Sequence, residues 1–201
     1  MKYQLDRKSR DIVIVPHQAR WREEFSSTGS QLRNTLNDLA LRIDHIVSTS
    51  VQGLSSKDII DIQITVSDLD DCSAFCTAMV NDGYIQKGDI HEDHIPVGMN
   101  PCRAEWRKRY FREPLGERRT HIHVREMGRA NQAYAILFRD YLRANNASRQ
   151  LYQQIKLRLS ELFPNKIDSY LYLKDPVCDL IIQSAIAWKE SIDWKLTESD
   201  A

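Results

Sequence analysis

His121 and His123 stand two apart in THIHV, a segment with strand-like alternation, so both imidazoles fall on one face of a predicted strand. Two imidazoles with a carboxylate nearby suit Zn²⁺, Mn²⁺ or Fe²⁺; the same rings could also bind phosphate and pass protons. The plainer alternative is a pair that only fills a strand face. A carboxylate comes from IIDIQITV, where Ile60, Ile62, Ile64 and Val66 take one face and Ile59, Asp61, Gln63 and Thr65 the other. Gln63 cannot supply a second anionic ligand beside Asp61, so a Mg²⁺ ion held there would lean on water and substrate phosphates. Asp61 also has a structural alternative, a strand-end carboxylate paired with Lys57 or an arginine.

Charge narrows the function classes. Lys plus Arg and Asp plus Glu each count 28, so no global field favours a long polyanion, and nucleic acid is not the expected partner. The balance is uneven, however: Arg103, Arg107, Lys108, Arg109, Arg112, Arg118 and Arg119 face only Glu105, Glu113 and Glu117 in their stretch. That patch suits a small phosphorylated ligand, with Arg109 among its contacts, or it is a charged strand edge that deters aggregation. The cysteines Cys72, Cys76, Cys102 and Cys178 show no paired CxxC spacing, the first residues show no signal-peptide stretch, and no apolar run is long enough to span a bilayer. A cytoplasmic protein with reduced thiols and no membrane partner is expected. Cys72 and Cys76 would share a helix face as buried small side chains.

These groups need elements to hold them. Ile12 to Val15 predicts a short strand, and Trp21, Phe25, Leu32 and Leu36 recur at helical intervals after it. Leu41 to Val47 and Ile59 to Val66 predict strands flanking the small-residue loop STSVQGLSSK. Ser67 or Asp68 is the expected cap of a helix to about Val80 that ends at Gly83, with a strand near Tyr84 and further strands at about 108–112 and 120–125. From Asn131 onward the apolar stripes are helical, one stopping before Pro164 and another starting at Pro176. His91 and His94 fall in a loop, and His45 packs or hydrogen-bonds at a strand end. The fold class is α/β (α+β), a mixed sheet flanked by helices over residues 1–130 with a helical lobe over 131–201.

The stretch HIVSTSVQGLSSKDIIDIQI resembles the GrpB family pattern, in which an HIGSTAVPGL-like loop is followed by AKPIIDI. GDIHEDH, RKRYFREP, THIHV, FRDYLR, YQQIK and SYLYLK follow in order, so the resemblance covers nearly the whole chain. It implies a nucleotidyltransferase-like fold and a divalent metal, Mg²⁺ or Mn²⁺ before Zn²⁺, acting on a nucleoside triphosphate or another phosphorylated small molecule; a homodimer is compatible with it. It puts Ser48 and Thr49 in the phosphate loop with Lys57 nearby and Asp61 at the metal position. It sets His121 and His123 as auxiliary ligands or acid–base groups, and turns Arg139, Lys156 and Lys174 towards the cleft. The sequence departs from the pattern at Val47, where the family has Gly and a Cβ opposes a positive φ angle, at Gln52 and at Asp58. Val47, Gln63 and the lack of a carboxylate triad motivate one alternative, a non-catalytic ligand-binding or interaction module, accessory to a CoA-pathway enzyme in one form; a third reading is a metal-dependent hydrolase built on Asp61, His121 and His123.

Overall fold

A computed structural model describes residues 11–201; residues 1–10, assigned above to the first lobe, lie outside the described residues. Five strands form one mixed sheet: β1 (Arg42–His45), β2 (Ile60–Val66), β3 (Ile85–Gln86), β4 (Arg109–Arg112) and β5 (Thr120–Glu126), in the spatial order β1-β2-β5-β4-β3. Only the central β2–β5 pair is parallel. Its register sets Asp61 opposite His121 and Gln63 opposite His123.

Strand alternation then sorts the side chains into two faces. Ile60, Ile62, Ile64 and Val66 of β2 join Phe111, Ile122 and Val124 in the main core. Helices α1 (Arg20–Leu36) and α2 (Ser73–Asn81) cover that face with Trp21, Phe25, Leu32, Leu36, Phe75 and Met79. The opposite face carries Asp61, Gln63, His123 and Arg125 and lies towards the helical lobe of α3 (Ala130–Ala144), α4 (Asn146–Leu162) and α5 (Ile167–Ser191). The lobe has its own apolar cluster, including Leu137, Tyr141, Leu142, Tyr152, Ile182 and Ala185, together with Val51 and Leu54 from the loop before β2. The expected mixed α/β sheet with a helical lobe is what forms.

Three local expectations fail for identifiable reasons. Ile12 to Val15 makes no strand: Val15 forms one isolated bridge to Ser56, while the Ile12 amide donates to the Pro164 carbonyl and its side chain packs with Leu159 and Tyr170. The segment ties the two layers together instead of extending the sheet. Asp68 does not cap α2, because its carboxylate accepts from the Asp70 amide and closes a turn short of the helix. Pro176 lies inside α5, which starts at Ile167. An interior proline costs a helix about 3 kcal/mol, and burial of Tyr170, Ile182 and Ala185 on either side of it offsets that loss.

Candidate functional site

At the start of β2 and β5, Asp61 and the two histidines converge. Asp61 Oδ1 lies 3.2 Å from His121 Nδ1 and 3.9 Å from His123 Nε2. Tyr110, from β4, sets its ring edge-on to both imidazoles at centroid distances of 5.6 and 5.2 Å. Behind them lies a buried ionic network. Asp93 Oδ1 accepts from Lys108 Nζ at 2.6 Å, and Oδ2 accepts from Arg125 Nε at 2.8 Å and Asn131 Nδ2 at 3.0 Å. Burial raises the Asp93 pKa, but Arg125 and Lys108 outweigh it and hold the carboxyl well below its usual range.

That network fixes a tautomer. Lys108 Nζ lies 3.3 Å from His123 Nδ1, and an ammonium can only donate, so Nδ1 accepts and the ring proton sits on Nε2. The nitrogen nearer Asp61 then offers no lone pair to a metal ion. His123 is moreover kept neutral by burial, then by the charges of Lys108 and Arg125. Among the described residues no group of three or more His, Cys, Asp or Glu side chains is arranged to hold a metal. The metal centre expected from Asp61, His121 and His123 together is therefore not built. Gln63 is also committed, accepting from Arg125 at 2.5 Å and donating to the Gln132 carbonyl at 3.0 Å.

The small-residue loop packs against the same end of the sheet, anchored by the Ile46 amide donating to the Asp61 carbonyl at 3.0 Å. Its residues Ser48–Ser50 form one 3₁₀ turn, in which Ser48 and Thr49 point to different partners. Lys156 Nζ donates to Ser48 Oγ at 2.9 Å and to the Ser55 carbonyl at 2.6 Å, above the Tyr152 ring at 4.7 Å. Burial, then the neighbouring charge of Lys174, push the Lys156 pKa down to about 7. Lys57 is lowered too, chiefly by burial. Burial also acts to lower Lys174, but Cys178 and Asp175 outweigh it and raise its pKa. Thr49 Oγ1 instead lies 3.0 Å from His45 Nε2, an imidazole stacked on Phe25 and pushed down to about 3 by burial.

Two expected contacts face elsewhere. Arg139 is buried with its guanidinium spent on the His45 carbonyl, Asp140 and Asp200, so it braces the β1 edge and the chain near Asp200. Arg109 donates to the Leu69 carbonyl on the α2 side of the sheet, because Tyr110 takes the histidine side and neighbouring strand residues alternate. Most of the basic stretch is neutralised: Arg103 pairs with Glu92, Arg107 with Asp70, Arg112 with Glu113, and Arg118 with Glu24 and Asp58. Asp93 had no role in the sequence reading, and Lys108 entered it only as a member of the basic stretch. Lys108 was one cation among many arginines, and the only signal for Asp93 was its place in GDIHEDH.

The pattern of the family described as GrpB protein matches residues 11–184. The chain belongs to the GrpB family. Over 194 residues it is 30% identical to the dephospho-CoA kinase of Mycobacterium tuberculosis, covering 90% of this chain and 48% of that protein. It is likewise 30% identical over 181 residues to the UPF0157 protein YqkA of Bacillus subtilis, covering 90% and 49% respectively. The GrpB chain thus spans about half the length of these curated relatives. The crystal structure of the conserved protein GrpB from Enterococcus faecalis matches with a TM-score of 0.73 at 26% identity, covering 89% of this chain and 99% of that one.

The GrpB pattern quoted above has glycine where this chain has Val47. The Cβ does not exclude the backbone conformation: Val47 adopts φ 58° and ψ −154°, a region otherwise nearly reserved for glycine. Such strain costs on the order of 1–3 kcal/mol, against about 0.5–1 kcal/mol for the added freedom of an unfolded glycine. Val47→Gly is therefore expected to raise the unfolding free energy by about 1 kcal/mol. Urea unfolding measures it, and a destabilised glycine variant would show that the valine side chain is worth more than its strain.

Proposed function

We propose that this GrpB chain binds a nucleotide or another phosphorylated small molecule between the Asp61 face of the sheet and the helical lobe, and transfers a nucleotidyl group. One observation carries the reading: Asp61 and His121 meet beside a serine loop whose Ser48 hydroxyl is held by a buried lysine. Asp61 and Lys174 both act on Lys57 and on Lys156, so these groups share one electrostatic neighbourhood. A phosphate entering it would be drawn to all three lysines and would raise the pKa of Lys156.

His121 would take the acceptor's proton. With Nδ1 towards Asp61, its Nε2 makes no hydrogen bond among the described residues and is open to an acceptor hydroxyl. Although the three-residue metal centre does not fit, Asp61 alone fits a Mg²⁺ ion that arrives with phosphates, because Mg²⁺ keeps several waters and needs only one or two carboxylates. Bound there, that ion would neutralise charge on the transferred group. His123, held neutral by its surroundings, would fix the position of Tyr110 and Asp61 around the reacting centre.

The buried, fully engaged Gln63 favours a second reading, a non-catalytic phosphate-ligand module. The relatives named dephospho-CoA kinase, twice as long, make an accessory role in a CoA-pathway enzyme the natural form of it. Calorimetric titration with the four nucleoside triphosphates and Mg²⁺ tests both readings. Asp61→Asn and Lys156→Gln are each expected to weaken binding at least tenfold, on the scale of a charged contact. Binding indifferent to both variants removes the site, whereas binding without pyrophosphate release in a screen of hydroxyl acceptors selects the module.

A further inference from the structure

A cavity of about 960 Å³ lies outside the Asp61 cleft, on the other side of the same loop. Thr49, Ser50 and Gly53 form its floor, and Arg22, Arg143 and Arg149 reach it from α1, α3 and α4. The one carboxylate in its wall, Asp200, is already bound by Arg139 at 2.6 Å and by the His45 amide at 2.9 Å. Arg22 forms no ion pair among the described residues, and neither does Arg149.

Two of the arginines are aimed by neutral acceptors. Arg143 donates from Nε and Nη2 to the Ser50 carbonyl at 3.1 and 2.9 Å, and only its far edge approaches Asp140, at 3.7 Å. Arg149 is held by Asn146 Oδ1 at 2.7 Å and by carbonyls at the end of α3. Carbonyls orient a guanidinium without cancelling its charge, so Arg149 is held with no anionic side chain on it and Arg143 with only the more distant Asp140. Burial, then Arg139, lower the Arg143 pKa, with Arg22 adding to the repulsion. An anion between these groups would relieve it. Gly53, at φ 80° with open space where a Cβ would stand, leaves backbone accessible in the floor.

We propose that this cavity is a second binding site, for a small molecule carrying at least two phosphate groups. Three guanidiniums from three elements match a diphosphate better than a single phosphate, since each can hold separate oxygens. The volume is that of an ordinary small-molecule pocket, ample for a diphosphate with an organic group attached. The site is independent of nucleotidyl transfer at Asp61, although the two lie on opposite sides of one loop.

Inorganic pyrophosphate, titrated calorimetrically without divalent metal and at fixed ionic strength, is the probe. Arg22→Gln is the cleanest variant, because the residue is exposed and its removal breaks no ion pair among the described residues; Arg143→Gln is the second. Each is expected to weaken pyrophosphate binding in this cavity at least tenfold, whereas Lys156→Gln is expected to act only on binding in the Asp61 cleft. Adenosine diphosphate as a second probe separates an ester from free pyrophosphate. No binding by the wild type, unchanged affinity in both arginine variants, or a loss confined to Lys156→Gln would each overturn the inference. The last result would assign the binding to the Asp61 cleft, so the two sites fail separately.

Discussion

Replacing Asp93 by asparagine is expected to lower the unfolding free energy by about 3–5 kcal/mol, the cost of leaving a buried ionic network without its anion. Asp93 is the common acceptor for Lys108, Arg125 and Asn131. The Lys108 and Arg125 side chains are themselves only 8% and 6% exposed, so water cannot replace the lost charge. The pH dependence follows from the direction of the shift. A carboxyl held below its unfolded value contributes its full stability above about pH 4, and loses it as pH falls through the folded value. Wild type and Asp93→Asn should therefore converge only in strong acid. Urea unfolding at pH 7 and in stepwise acid checks both statements. Pairing Asp93→Asn with Lys108→Met should recover part of the loss, since one of the stranded cations is gone. A loss below about 1 kcal/mol at pH 7 would mean that water reaches the network.

The same network shows where sequence reasoning stops. Alternation in IIDIQITV and THIHV gave the facing of Asp61, His121 and His123 correctly, because strand geometry leaves two faces and the isoleucines occupy one. The parallel pairing that joins them has no local signal, because it depends on strands sixty residues apart. Arg139 misled for a related reason. Its motif predicted a cleft residue, whereas the buried carbonyl of His45 and the carboxylate of Asp200, both distant in sequence, decide where the guanidinium goes. Asp93 and Lys108 lie outside any periodic pattern that would have told a buried ion pair from surface charge. Val47 teaches the opposite lesson: its residue type argued against a positive φ, and the surrounding loop imposes one at a cost in strain.

Lys156 gives the sharpest test of the candidate cleft before any substrate is known. In the unfolded chain a lysine keeps its proton to about pH 10.5, whereas in the fold its pKa is pushed down to about 7. Below pH 7 both states are protonated and the buried charge is a standing cost to the fold. Between pH 7 and 10.5 the unfolded chain binds more protons than the folded one, so stability must climb with pH across that window. At 1.36 kcal/mol for each tenfold change, the full climb is roughly 5 kcal/mol. The Tyr152 ring 4.7 Å beneath the ammonium favours the charged form and makes that figure an upper bound. Lys156→Met removes the titration while filling the same space, and the difference in unfolding free energy between wild type and variant isolates it from every other group. That difference should move in favour of the wild type by several kcal/mol from pH 7 to pH 10 and stay level below pH 7. Phosphate binding adds an independent readout: at pH 8 a lysine that is mostly neutral must become charged, so calorimetry in buffers of different ionisation enthalpy should show uptake of about one proton by the wild type and none at this position in the variant. A stability difference that is flat from pH 7 to pH 10 would mean that Lys156 is already charged in the fold, compensated by Asp61, and that its role is to hold Ser48 rather than to receive phosphate.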